Sequence, residues 1–464
     1  MYRILIVITM AACLGGCVRP KYERPTLPVP PAWPESTASE TSVPDAPDVA
    51  SLKWREFFTD KELQSVIELA LANNRDLRVA ALNAERVQAL YRIQRAEQYP
   101  TVAASADGQV YQVPEDMSVT GRTYKAEQYN VGLGAASWEL DLFGRVRSLK
   151  SRALELYLST EQARSAAQIS LVSAVANTYL TLAADRENLR LAQTTLDAQQ
   201  ASYELIQRSR EAGIASDLDL RQAQSQVEAA RVDIAQYNGQ VALDENALNL
   251  LVGTPVAPSL LPTQLGTDRT LKDVSAGVPS EVLLRRPDIL TAEHQLKAAY
   301  ANIGAARAAF FPRIALTAGA GYMSGDLSNL VTSGSKTWNF APQAVLPIFD
   351  AGARRANLKV SKVDRDLATA QYERSIQSAF REVSDSLALR KRLTEQQDAQ
   401  QALVNALDET YRLSEARYRA GIDSYLSVLV AQRSLYGAQQ GLVTLRMARM
   451  SNLVTLYKVL GGGA

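Results

Sequence analysis

The chain has 464 residues, with 50 basic and 49 acidic side chains, one histidine and two cysteines. Near-neutral charge excludes the electrostatic footprint of a nucleic-acid binder. His294, Cys13 and Cys17 are too few to build a zinc or haem site, and no disulfide framework exists, so the fold depends on packing alone.

The first 17 residues, "MYRILIVITMAACLGGC", carry Arg3, an apolar run from Ile4 to Leu14 and small residues before Cys17. That run is far short of the ~20 residues a spanning helix needs, so it reads as an export signal. "LGGC" has the form of a bacterial lipobox. Residues 1–16 are then a removed signal peptide and Cys17 a lipidated first residue. That covalent lipid is the one added group expected, with no cofactor and no metal. Residues 17–59 follow as an extended segment, because eight of the 18 prolines lie between Pro20 and Pro47.

Two proline-free blocks, 115–254 and 348–464, leave room for very long helices. They are related. Gly213 in "EAGIAS" matches Gly421 in "RAGIDS" at 421 − 213 = 208, and "LNLLVG" (248–253) falls on "LYKVLG" (456–461) at the same offset. Pro100 matches Pro312 at 312 − 100 = 212. Ordered landmarks of this kind mark a tandem repeat. The first repeat spans 60–254 and the second 280–461, joined by a linker at 255–279, with a tail at 462–464.

Each repeat predicts a helix ending at its proline, two strands, a long helix, a break and a return helix. The strands fall at about 101–113 and 127–140, then 313–323 and 336–349. In "RIALTAGAGYM", Ile314, Leu316, Ala318, Ala320 and Tyr322 share one face. Val102, Ala104, Ala106 and Val110 do the same, as do Val131, Leu133 and Ala135. Aromatic residues such as Tyr111, Trp138, Trp338 and Phe349 stand near strand ends, as in a membrane girdle. Alternation alone fits a soluble sandwich equally well; the export signal favours the barrel. Four strands cannot close a membrane pore, so more than one chain must contribute.

Beyond the strands, Ala356, Val360, Val363, Leu367 and Ala370 recur three and four apart, as do Leu403, Leu407, Tyr411, Ser414 and Tyr418. This is coiled-coil seam spacing. The breaks at about 211–217 and 419–425 place Gly213 and Gly421 where a helix ends left-handed, with Ser216 and Ser424, or Asp217 and Asp423, to cap the next. No nucleophile–base pair emerges. "SGSK" (333–336) and "GLGAAS" (132–137) sit in a loop and a strand, and His294 reads as a surface or interface residue, so no enzyme is expected.

Together the lipobox, "PKYERP", "WREFFTDKELQSVIELAL", "YNVGLGAASWELDLFGRVRS", "RYRAGIDSYLSVLVAQRSLY" and "LYKVLGGG" resemble the TolC-type outer-membrane factors of the lipidated NodT branch. The resemblance covers nearly all of the mature chain. It implies a mostly α fold with a transmembrane β-barrel: a homotrimer whose twelve strands form one barrel and whose coiled-coil hairpins form a periplasmic tunnel. It implies an exit duct of a tripartite multidrug efflux system, in which a periplasmic adaptor links the duct to an inner-membrane RND transporter. Outer-membrane lipid surrounds the barrel, and valine at residue 18 fits outer-membrane sorting in lipoproteins of this kind.

Carried over by position, the adaptor contacts fall on Gly213, Ile214, Gly421 and Ile422. The periplasmic gate falls on Tyr418, Asp423, Tyr425, Leu426, Val430 and Arg433. Many relatives carry aspartates where this chain has Ser427 and Val430, so closure is expected to rest on apolar packing. Two other readings are a conduit for type I protein secretion and a non-channel coiled-coil lipoprotein.

Overall fold

The computed structural model describes residues 20–34, 52–266, 271 and 283–462. The signal peptide, Cys17, residues 35–51 of the extended segment, about half of the linker and the last two residues lie outside the described residues.

The elements in chain order are α1 (Trp54–Phe57), α2 (Lys61–Asn73), α3 (Arg75–Ala96), β1 (Val102–Val113), β2 (Tyr124–Glu139), α4 (Arg145–Glu211) and α5 (Asp217–Val252). They continue with α6 (Pro287–Ala308), β3 (Arg313–Ser324), β4 (Lys336–Val345), α7 (Ala353–Arg419) and α8 (Tyr425–Val459). Helices α4 and α7 have 67 residues each, about 100 Å at ~1.5 Å per residue. They begin at 353 − 145 = 208 residues apart, the offset of the tip glycines.

The chain divides into two compact units that cut across the repeats. One comprises 1–26, 83–161 and 291–372 and holds all four strands; the other comprises 27–82, 162–290 and 373–464 and holds both helix tips.

In the strand-bearing unit the sheet order is β1-β2-β3-β4, all antiparallel. Register brings the apolar alternation into rows. Val102, Ala135, Ala318 and Phe340 form one, and Ala104, Leu133, Ala320 and Trp338 the next. Val102, Leu133, Trp338 and Phe340 are all exposed, so the sheet carries a continuous apolar face that no other described residue covers. The opposite face is small and polar: Ser105, Gly132, Gly321 and Thr337 share a row. There Asn130 Nδ2 donates to Asp107 Oδ2 at 2.8 Å. Strands β1 and β4 are edges, each pairing on one side only.

A bulge between Ala135 and Trp138 corrects the strand phase. Strict alternation from Ala135 would turn Trp138 inward; the inserted residue returns it to the apolar face, opposite Leu316. Ser137, at φ 54, takes the extra step, and its N–H donates to Thr317 Oγ1.

Three other expectations need correction, and a fourth needs narrowing. Strand β4 stops at Val345 rather than 349, since Val345 pairs with Arg313, the first residue of its only partner, β3. The first predicted helix is two, split where Asn74 caps α3 through Leu77 N–H and donates to Leu251 O. Helices α3 and α6 end four residues before their prolines, because pre-proline backbone disfavours the α region. Of the two places expected for His294, surface or interface, it takes the second: its Nδ1 lies 2.8 Å from Glu155 Oε2 on α4, both largely buried.

The same unit ties down the extended N-terminal segment. Glu293, only 2% exposed, accepts from Tyr22 Oη at 2.9 Å and from Arg24 Nη2 at 2.9 and 3.1 Å, with Lys297 Nζ at 3.3 Å.

In the tip-bearing unit, Phe57 stacks on Tyr457 at 4.4 Å, and Tyr457 Oη donates to Gly462 O. One 18-residue window of α4 is apolar enough to cross a membrane, at mean hydropathy 1.2, and 56% of it is buried within the chain, as in a core helix. Arg286 is a buried cation of this unit. It donates to Val459 O at 2.7 Å, to both Asp288 oxygens at 3.0 and 2.6 Å and to Glu382 Oε2 at 2.8 Å. Arg286→Ala is expected to cost about 3 kcal/mol, most of it from the stranded carbonyl and carboxylates. A denaturant midpoint unchanged from wild type would contradict this.

The first stretch of the seam predicted along α7 has no cover among the described residues, whereas Tyr411 and Tyr418 farther along are partly buried. Val360, Val363 and Leu367 are all about half-exposed. A coiled-coil seam without a partner in its own chain needs another copy to cover it.

Candidate functional site at the helix tips

Both breaks are built alike. At the end of α4, Gly213 N–H donates to Arg210 O and Ile214 N–H to Ser209 O. At the end of α7, Gly421 N–H donates to Tyr418 O and Ile422 N–H to Arg417 O. Paired bonds of this spacing form a Schellman motif, which satisfies the orphan carbonyls at a helix C-terminus. The glycines have φ of 75° and 72°, and a Cβ on either would meet nothing within 4 Å. Backbone conformation, not space, requires glycine there.

The residue after that glycine usually packs against an apolar side chain one turn back. Here that position holds Ser209 in one tip and Arg417 in the other. Ile214 and Ile422 therefore lack that apolar partner and stand 83% and 62% exposed. Each turn thus carries one large apolar side chain in water at its head.

The return helices start differently. Ser216 caps α5 through Asp219 N–H, and Asp219 reaches back to Ser216 N–H in a full capping box. Ser424 makes no side-chain cap. The second tip is held instead by Arg417, whose Nε and Nη2 meet Asp423 at 2.6 and 3.1 Å. The first has its own clip, Arg210 Nε to Asp217 Oδ1 at 2.6 Å. The hydrogen bond and charge of Arg417 hold the Asp423 carboxyl below the usual carboxylate range. Both partners lie in water, so this fixes geometry more than it adds stability.

Beneath the turns the two tips share one apolar cluster: Ile206, Leu220 and Ala223 from the first hairpin with Tyr425, Val428 and Leu429 from the second. Tyr203, Ala215, Tyr411 and Tyr418 pack around it. The Tyr418 and Tyr425 rings lie 5.4 Å apart. Burial pushes the Tyr425 hydroxyl up to about 12.

The expected gate residues thus separate: Asp423 is engaged in the turn by Arg417, and the other five fall into two groups. Tyr418 and Tyr425 belong to the packing between the tips. Leu426, Val430 and Arg433 lie four and three apart on one exposed face of α8. That face carries no contact from its own chain that would hide it. Arg417 was not anticipated as a site residue; its signal was an acid six residues away across a turn.

The model of the outer membrane efflux protein family matches residues 66–254 and 278–462. The toluene efflux pump outer membrane protein TtgC of Pseudomonas putida is 51% identical over 464 residues, 99% of this chain and 95% of that protein. The chain belongs to the outer membrane efflux protein family.

Outer membrane protein OprJ of Pseudomonas aeruginosa is 42% identical over 461 residues, again across 99% and 95% of the two chains. The crystal structure of the open state of the Neisseria gonorrhoeae MtrE outer membrane channel matches with a TM-score of 0.88 at 39% identity. It covers 96% of this chain and 98% of that one. A CusC crystal structure matches at 0.86, also 39% identical, over 96% and 99%. The protein is an outer-membrane efflux channel and not an enzyme. Its fold is the expected one, long helical hairpins with four strands that belong to a transmembrane barrel, the architecture of the trimeric channels of this family.

Proposed function

We propose that this protein is the exit duct of a tripartite RND-type multidrug efflux system. Three copies close their four-stranded sheets into one twelve-stranded barrel in outer-membrane lipid, and their helices form the periplasmic tunnel. Two exposed sheet edges and the uncovered first stretch of the α7 seam support the assembly, since each needs a neighbouring copy. Cys17 anchors the duct through a covalent lipid. The six boundaries read from the sequence, at 16, 59, 254, 279, 461 and 464, divide it into signal, strap, two repeats, linker and tail.

The observation that carries the tip assignment is the pair of isoleucines freed from their own turns. Gly213, Ile214, Gly421 and Ile422 form the surface met by a periplasmic adaptor, which connects the duct to an inner-membrane RND transporter. Cargo passes without energy input from this chain. Relatives named for toluene, solvent and antibiotic efflux support small molecules as that cargo.

The gate is proposed to close by apolar packing. Leu426 and Val430 lead the exposed face of α8, with Arg433 behind them and Asp423 already engaged by Arg417. Tyr418 and Tyr425 set the position of that face from beneath. Without a free carboxylate ring, wild-type channels in planar bilayers are expected to resist block by a trivalent cation added from the periplasmic side. Val430→Asp is expected to install such block, lowering the half-blocking concentration at least tenfold. Tight block of the wild type would contradict an apolar gate.

A further inference from the structure

Away from the tips, α4 and α5 bring two acids together. Asp185 on α4 and Asp244 on α5 are in hydrogen-bonding contact, and Asn188 also contacts the Asp185 carboxyl. Asp244 is 7% exposed and Asn188 6%. Gln240 Nε2 donates to Asp244 Oδ1 at 3.2 Å, but Asp244 Oδ2 has no donor, nor does Asn188 Oδ1. Two carboxylates cannot hydrogen-bond each other without a proton, and a buried oxygen with no donor costs free energy.

The neighbourhood offers no other charge compensation. From α4, Arg186 turns away to Glu245 and Pro262 O, and Glu187 is held by Arg446 of α8. From α5, Tyr237 faces Asp185 and Asp233 is bonded by Tyr436 of α8. From α8, Gln440 donates to Tyr237 Oη. Among the described residues no cation reaches the pair.

We propose that Asp185 and Asp244 form a proton-binding site that latches α4 to α5 and lets go as the surrounding pH rises. One proton bonded to either carboxyl supplies the donor that Asp244 Oδ2 lacks. When it is lost to water, two carboxylates face each other in a low-dielectric contact. Burial first, and then the neighbouring Asp244, raise Asp185 to about 6. The open hairpin would titrate near the ordinary value of ~3.9. Because the closed form binds the proton more tightly, the latch is fully effective below the open-state value. It weakens as pH climbs toward the closed-state value, and no further change follows above it.

Hydrogen exchange measured by mass spectrometry on the full-length trimer tests this, using peptides spanning 180–190 and 240–248. After correction for intrinsic exchange, wild-type protection is expected to fall by up to about tenfold per pH unit between pH ~4 and ~6. Asp244→Asn and Asp185→Asn each supply a permanent N–H donor, so both should remove that slope. A flat wild-type profile overturns the proposal without needing either variant. So does a slope that persists in both. Calcium restoring wild-type protection at pH 7.5 would also overturn it, because the occupant would then be a metal ion.

Discussion

Gly321→Ala is expected to abolish barrel formation, whereas Gly319→Ala two residues earlier leaves it intact. A Cβ at Gly321 would run into Val131 O and Gly132 Cα, both backbone atoms of β2. Backbone in a paired ladder cannot yield without breaking its hydrogen bonds. Overpacking of this kind costs about 3 kcal/mol before the lost β2–β3 pairing is counted. At Gly319 the nearest atom is Asn339 Oδ1, the far end of a side chain that can rotate aside. Heat-stable trimers on a denaturing gel report the outcome. Equal trimer yield from both variants would contradict the close approach of β2 and β3.

A second large effect is expected at the tips. Changing Ile214 and Ile422 together to glutamate should reduce drug resistance to the level of a strain lacking the gene, while trimers still form and conduct. Both side chains project from Schellman turns whose hydrogen bonds are made entirely by backbone, so substitution leaves the turns standing. Both are predominantly exposed, so each has little packing to lose within its own tip. Placing a charge at the centre of an apolar contact surface typically removes the interaction altogether. Susceptibility testing in a complemented deletion strain measures this. Full resistance with both glutamates present would mean that the isoleucines touch no partner.

The tips were the most legible part of the site. Glycine followed by isoleucine, repeated at a fixed offset, states both the left-handed turn and the duplication. What the pattern could not say was which side of α8 would be used. Leu426, Leu429 and Val430 are all apolar, so periodicity allows several faces to be buried. Only the first hairpin settles it, by supplying Ile206 and Leu220 to cover Tyr425 and Leu429 while Leu426 and Val430 stay outside.

Contacts across a turn or a hairpin were illegible for a related reason. Arg417 and Asp423 are joined through non-helical backbone, and Asp185 and Asp244 lie on helices that meet only after folding. In the sheet, alternation marked the apolar rows correctly as far as Ala135. Trp138 then departed from phase, because a single-residue bulge leaves no compositional trace when the bulged residue is serine.

Single-channel recording in planar bilayers tests most directly whether this protein is a conduit closed at rest by apolar packing on the second hairpin. Purified wild-type trimers are expected to show discrete but infrequent openings. A Leu426→Ser, Val430→Ser double variant is expected to show long-lived openings of larger conductance from the same trimers. Absence of conductance from both proteins would contradict the channel itself, and identical open times would contradict the gate.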